Sequence, residues 1–255
     1  MRQLFSCNKR HGGKCGLGIL LILLLPPAAC GAALQVAVAS NFRTTLEQLA
    51  PDFNRGQAED IKVSSGSSGM LYAQIVHGAP FDVFLSADSS YPRRLEQDGL
   101  AVHRRTYARG ILVLVYQPEL AELAQSGAGA ILSRPGLSLA IANPRLAPYG
   151  IAAQQVLERL GSTPSPLLRG ANISQAYQMW SSGGADAALI ARSQAQPPWL
   201  DLPREWYGDI QQQAVLLRRT PNLSKARDFL QWLLSPAIQA AIAGAGFNPG
   251  VNTHE

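Results

Sequence analysis

Residues 61–76 read IKVSSGSSGMLYAQIV, and this stretch decides the fold. Ile61–Ser64 has the composition of a short strand, a run of Ser and Gly follows, and Met70–His77 has that of a helix. A strand ending in hydroxyls and glycines at a helix start makes a seat for an anion. The first turn of a helix leaves backbone N–H groups without partners, and the helix dipole adds partial positive charge there. Glycine lets a ligand approach the backbone, and Ser67 and Ser68 carry O–H donors. The same grammar recurs at residues 34–46, LQVAVASNFRTTL, where a strand runs into Ser40 and a helix follows.

Working outward, the order of elements is that of an α/β fold with mainly parallel sheet. Gln35–Ala39 reads as a strand, and Asn41–Asn54 as an amphipathic helix with Ser40 as its N-cap. Phe81–Ser86 is a third strand and Ser89–Asp98 a third helix. Ile111–Tyr116, ILVLVY, is a continuous apolar run, hence a strand buried on both faces. Pro118–Leu132 reads as helical and Leu137–Ala142 as a strand. The loop ANPRLAPYG (142–150) leads into a helix over Ile151–Leu160. Leu167–Ala171 is a short strand, after which Asn172 caps a helix from Ile173 to Ser181. Ala187–Ala191 is another buried strand, Gln194–Gln211 irregular, and Gln213–Leu217 a returning strand. Leu223–Leu234 and Pro236–Ala243 are helices.

The beginning of the 255-residue chain has a different character. Arg2, Lys9, Arg10 and Lys14 precede the apolar run LGILLILLL (17–25), followed by prolines and small residues to Ala33. This is the layout of a secretory signal peptide, with cleavage expected near Ala33; the apolar run is short for a membrane span. The alternatives are an uncleaved anchor, or lipidation at Cys30, since PAAC resembles a lipoprotein box with Pro27 where Leu is usual. All three cysteines lie in this leader, so the mature chain has none for disulfides or thiolate metal sites. Taking the leader's four basic residues from the 22 leaves 18 against 17 acidic ones. The sequence pI of about 9.3 is therefore largely a leader property and a poor argument for nucleic-acid binding. His77, His103 and His254 are far apart in sequence, and no metal site is expected from them.

Four segments together resemble one family: AVASNF (37–42), SSGSSGMLYAQIVHGAPFDVFLSAD (64–88), ANPRLAPYG (142–150) and NISQAYQMWSSGGADAALIA (172–191). They are similar to the periplasmic molybdate-binding proteins that serve molybdate ABC importers. The second segment, a Ser-rich turn followed by GAP-D-V-F-x-S-A-D, is the most specific. The resemblance implies a two-lobed type II periplasmic binding protein, with two crossover hinge strands and an oxyanion in the cleft. Its implied divisions are residues 1–33 as signal peptide, 34–110 as the first part of lobe 1, 111–215 as lobe 2, and 216–255 as the return to lobe 1. It also implies a non-enzymatic, monomeric periplasmic protein without cofactor, whose partners are molybdate or tungstate and an inner-membrane permease.

Carried over residue by residue, the resemblance implies ligand contacts at Ser40, Asn41 (backbone N–H), Ser68, Tyr149 and Ile173 (backbone N–H). Ser67 is either a further contact or a turn residue. Many relatives place a Tyr hydroxyl where this chain has Ala191, and the Tyr149 hydroxyl is the candidate to replace it. Asp82 and Asp88 read as structural carboxylates, Asn172 as a cap and Gln175 as support for the loop. Molybdate has four oxygens and no proton at neutral pH, so it only accepts hydrogen bonds. A cage of neutral donors suits it, and a carboxylate there would repel it. Two other readings stand beside this one. One is a receptor for sulfate, thiosulfate, phosphate or an organic anion. The other is a secreted serine hydrolase, for which GSSG (66–69) lacks the G-x-S-x-G elbow and no triad histidine is evident.

Overall fold

The computed structural model describes residues 33–57 and 60–250. The expected leader, apart from Ala33, lies outside the described residues, as does Cys30.

The chain builds two mixed sheets in succession. It begins with β1 (Gln35–Ala39), α1 (Arg43–Asn54), β2 (Lys62–Gly66), α2 (Ser68–Val76), β3 (Val83–Ser86), α3 (Ser90–Gln97) and β4 (Ala101–Gly110). It crosses at Ile111 into β5 (Leu112–Tyr116) and continues through α4 (Ala121–Ala124), α5 (Ala128–Leu132), β6 (Leu139–Ala142), α6 (Pro148–Leu160) and β7 (Leu167–Gly170). Then come α7 (Ile173–Ser181), β8 (Ala187–Ala191) and β9 (Trp199–Asp201). Residues 202–209 lead back to β10 (Ile210–Leu217), α8 (Leu223–Leu233), α9 (Pro236–Gly244) and β11 (Asn248–Pro249).

The first sheet has the order β11-β4-β10-β3-β1-β2, and the second β7-β6-β8-β5-β9. In the first, β1 runs parallel to β2 and β3, and β10 antiparallel to β3 and β4. In the second, β6 runs parallel to β7 and β8, and β5 antiparallel to β8 and β9. Each lobe is thus the same device: a central strand, the next strand on one side, the one after it on the other. The carboxyl ends of such strands, where the order switches, are where α/β folds bind ligands.

Alternation along the strands divides the first lobe's core in two. Val36, Val38, Val83, Leu85, Ala214 and Leu216 pack with Phe42, Leu46 and Phe229 on one face. Ala37, Phe84, Val215 and Leu217 pack with Leu71, Ile75 and Leu95 on the other. The second lobe's central strands, LAIA and AALIA, are buried throughout, as helices on both faces require. Ala39 and Ala87 of the first lobe join the second lobe's core cluster, so the lobes touch at the ends of β1 and β3.

The structure corrects several expectations. The division at 215/216 falls inside β10, which lies in the first sheet from Ile210 onward. The connections between lobes are Ile111 and residues 202–209, flanked by the paired Gly110 and Ile210. Residues 118–132 form a 3-10 turn and two short helices instead of one helix, interrupted at Gly127 with φ 90°. The stretch read as irregular, 194–211, contains β9. The ten-residue β4 carries no apolar signal through HRRT, whose polar positions alternate between exposed and half-buried and resemble a solvated face.

Gly150 sets how closely α6 follows β6. A Cβ there would lie 2.4 Å from the Ala142 carbonyl oxygen and 2.8 Å from backbone atoms of Asn143 and Pro144. Backbone cannot step aside as a side chain can. Gly150→Ala is expected to destabilise the protein by about 1–3 kcal/mol, whereas Gly244→Ala, with nothing within 4 Å of the added Cβ, changes stability little. Urea denaturation of the two variants measures this, and equal midpoints would contradict the packing described.

Candidate functional site

A small pocket with a cavity volume of about 10 Å³ lies between the lobes. The first lobe contributes Ala39, Ser40 and Asn41 after β1, Gly66, Ser67 and Ser68 after β2, and Ala87 after β3. The second contributes Ala147, Pro148 and Tyr149 before and in α6, and Ile173 at the start of α7. All six residues singled out from the sequence, Ser40, Asn41, Ser67, Ser68, Tyr149 and Ile173, meet in this one wall. A larger open concavity of about 1000 Å³ lies on the second lobe among Asn143, Arg145, Glu158 and Arg169. It is bigger, but it brings together none of these residues, so chemistry rather than size selects the site.

Each donor is positioned by local rules. Ser67 is the N-cap of α2, its hydroxyl accepting from the Met70 N–H at 3.4 Å. Ser68 is the first helical residue and is 1% exposed, and its Oγ accepts from the Ala87 N–H at 3.0 Å. The cap role expected of Ser40 falls elsewhere: α1 starts at Arg43 after Phe42, with no side-chain cap bond. The Ser40 hydroxyl makes no hydrogen bond among the described residues, while its backbone N–H donates to the Gly66 carbonyl at 2.9 Å. In the second lobe, Pro148 occupies the first turn of α6, where its missing N–H is harmless, and Tyr149 follows it. Asn172 caps α7 by accepting from the Gln175 N–H at 3.0 Å, and Gln175 Oε1 accepts from the Ala171 N–H at 2.7 Å. This reciprocal pair holds the loop that presents Ile173.

The two lobes are joined directly around the pocket. The Gly69 N–H donates to the Leu146 carbonyl at 3.0 Å. Ser193 Oγ donates to the Asn41 carbonyl at 2.9 Å, and Gln194 Nε2 donates to the Ser40 carbonyl at 3.1 Å. Behind the pocket the buried side chains of Asn41, Tyr149, Gln212 and Tyr107 form a polar cluster. Asn41 Nδ2 lies 3.0 Å from Gln212 Oε1 and 3.5 Å from the Tyr149 hydroxyl. Gln212 sits on β10, and its Nε2 lies 3.3 Å from the Tyr149 hydroxyl. Gly110 makes room for this: a Cβ there would meet that hydroxyl at 2.3 Å. The hydroxyl proposed to replace the one missing at Ala191 thus has side-chain partners in Asn41 and in Gln212 of β10. Sequence reasoning missed Gln212, because a lone Gln in an apolar strand carries no motif.

No charged side chain lines the pocket. Asp88, next to Ala87, has its carboxylate oxygens engaged by the Ser86 and Ser90 hydroxyls and the Tyr91 N–H. Burial holds that carboxyl above the ordinary carboxylate range. The Tyr149 phenol is held far above its ordinary value, first by burial and then by the neighbouring Tyr207 phenol, and burial does the same for Tyr107. Both remain protonated donors. Asp82, expected to be structural, accepts from the Gln35 N–H at 2.7 Å and from Asn222 Nδ2 at 3.3 Å, and so ties β1 to the α8 start. Among the described residues no group of three or more His, Cys, Asp or Glu could hold a metal ion.

Two α/β lobes meeting on a buried pocket of hydroxyl and backbone donors define a binding protein for a small solute. Residues 34–248 match the family model of bacterial extracellular solute-binding proteins. The molybdate-binding protein ModA of Azotobacter vinelandii is 37% identical over 239 residues, 88% of this chain and 93% of that protein. The ModA of Rhodobacter capsulatus is 36% identical over 247 residues, 93% of this chain and 96% of that protein. The solved structure of the Azotobacter vinelandii periplasmic molybdate-binding protein superposes with a TM-score of 0.77 at 37% identity, covering 84% of this chain and 98% of that one. The chain belongs to the bacterial extracellular solute-binding proteins, within the family of the molybdate-binding ModA proteins.

The two serines separate structural from ligand duties. Ser68→Ala strands the buried Ala87 N–H and is expected to cost about 1–3 kcal/mol of stability without any anion present. Ser40→Ala removes a hydroxyl with no such bond and is expected to stay within about 0.5 kcal/mol of the parent. Thermal unfolding in anion-free buffer checks both, and a Ser40→Ala loss as large as that of Ser68→Ala would contradict the assignment.

Proposed function

We propose that this protein is the extracytoplasmic receptor that captures molybdate, and with it tungstate, and delivers it to an ABC permease. One observation carries the reading. Four chain turns, each at or beside a helix start, bring hydroxyl and N–H donors to one buried pocket whose lining includes no charged residue. Such a pocket suits a small anion that only accepts hydrogen bonds. Relatives of 36–37% identity are molybdate-binding proteins, which supports the choice among oxyanions.

The binding chemistry follows from the donors. The hydroxyls of Ser40 and Ser68, with Ser67 beside them, donate from the first lobe. The backbone N–H groups of Asn41, Tyr149 and Ile173 donate from both lobes. A hydrogen bond to a charged group contributes about 1.5–3 kcal/mol, and a partly buried helix terminus up to about 2 kcal/mol. Micromolar affinity needs about 8 kcal/mol net of ordering costs, within reach of five or six such bonds. Sulfate carries the same charge on shorter bonds, so a cage spaced for molybdate or tungstate holds it with stretched contacts. Because both lobes supply donors, capture means closing them about Ile111 and residues 202–209, and release to the permease means opening them. No helix among the described residues is long and apolar enough to cross a membrane; we assign export to the leader.

Calorimetric titration of the mature protein against a panel of tetrahedral anions tests this. Molybdate and tungstate are expected to bind at micromolar dissociation constants or tighter, with sulfate and phosphate weaker by about a hundredfold. Silence toward molybdate, or equal binding of phosphate, would overturn the reading.

A further inference from the structure

A 3-10 turn, Arg192–Gln194, follows β8 and carries side chains of the second lobe across to the first. Ser193 Oγ donates to the Asn41 carbonyl at 2.9 Å, and Gln194 Nε2 to the Ser40 carbonyl at 3.1 Å. Ser174, in the first turn of α7, adds its hydroxyl to the Ser40 carbonyl at 3.4 Å. Gln194 Nε2 also donates to Ser174 Oγ at 2.7 Å, which leaves the serine's own hydrogen for that carbonyl. Three side chains from two separate segments of the second lobe thus converge on two successive carbonyls of the first. None of the three lines the pocket, so this grip is separate from the anion's own contacts.

These side chains make no other hydrogen bonds among the described residues. Gln194 is committed to the contact at a cost. The Ser40 carbonyl only accepts, so the amide nitrogen has to face it; an amide oxygen there would sit 3.1 Å from another oxygen. That orientation leaves Gln194 Oε1 buried without a hydrogen-bond partner. The two carbonyls belong to the turn that carries Ser40 and Asn41 into the pocket wall. In a planar trans peptide the N–H lies opposite the carbonyl, so gripping the Ser40 carbonyl also fixes the line of the Asn41 N–H.

We infer that Ser193, Gln194 and Ser174 are positioning residues, a latch outside the anion's own contacts that sets how long the lobes stay closed. The inference rests on the oxyanion-receptor reading and deepens it. An anion enters while the lobes are apart and these bonds are not formed, so the latch leaves the on-rate alone. The anion leaves only once the bonds are broken, so the latch slows release. Because the three side chains touch protein and not ligand, they raise the affinity for each anion the pocket accepts by one common factor. Retention and selection thereby fall to different residues.

The test compares the mature protein with its Ser193→Ala and Ser193→Ala/Gln194→Leu variants, using molybdate and tungstate as probes. Calorimetry gives the dissociation constants, and release of radiolabelled molybdate into an unlabelled excess gives the off-rate. The single variant is expected to lose about threefold in molybdate affinity and the double variant about tenfold. Tungstate affinity is expected to fall by the same factors. The loss is expected in faster release, with the on-rate, taken as off-rate over dissociation constant, unchanged. A distorted pocket would instead shift the on-rate or the molybdate-to-tungstate ratio. Either of those shifts, or unchanged affinity in the double variant, would remove this inference and leave the receptor reading standing. No binding of either anion by the parent protein would remove the receptor reading itself.

Discussion

Holding a doubly charged anion away from water without a counter-charge is the constraint on which this structure turns. An isolated ion loses several kcal/mol or more on leaving water, and only fully formed hydrogen bonds to it offset that loss. A mobile lysine or arginine would supply attraction but little discrimination by shape. Neutral donors fixed in place supply both, provided the backbone sets their geometry. That requirement explains why the pocket lies among helix starts, where N–H groups point outward with no partner of their own.

The rest of the fold serves that geometry. Each lobe places a central strand between its successor and the strand after that, so two helix starts converge at the same end of each sheet. Glycines are spent where backbone or hydroxyl must come close: Gly69 at the bond between lobes, Gly110 beneath the Tyr149 hydroxyl, Gly150 where α6 leaves β6. β4 and β10 lie side by side, so both connections leave the first sheet from neighbouring positions. Gln212 sits on one of these strands, and through its amide the hinge and the pocket wall share hydrogen bonds.

Much of this was legible in the chain. Apolar runs such as 187–191 can only be central strands, and the Ser-Gly turns announced the helix starts that follow them. The residues expected to gather, from Ser40 to Ile173, do so because each sits at a strand-to-helix junction, a local feature that sequence displays. What escaped was set by tertiary contact. The β4 strand hides in a charged, alternating segment, since its pairing is completed only when β10 returns to its edge. Gln212 reads as an ordinary polar residue until Asn41, Tyr107 and Tyr149, distant in sequence, are brought against it. Ser40 reads as a cap because the turn through Phe42 that displaces the helix start has no sequence mark. The expected division between lobes falls six residues after the start of β10, because the apolar part of β10 is only its second half.

The central claim is that uncharged donors of the interlobe pocket, and not the arginines of the larger concavity, hold the anion. A crystal structure of the mature protein with molybdate, read by anomalous scattering at the molybdenum edge, tests it most directly. The account predicts a single strong peak between Ser40, Ser68, Tyr149 and Ile173, with the anion oxygens at hydrogen-bond distance and no cationic side chain in contact. A peak beside Arg145 and Arg169, or an interlobe pocket empty at saturating molybdate, would contradict it.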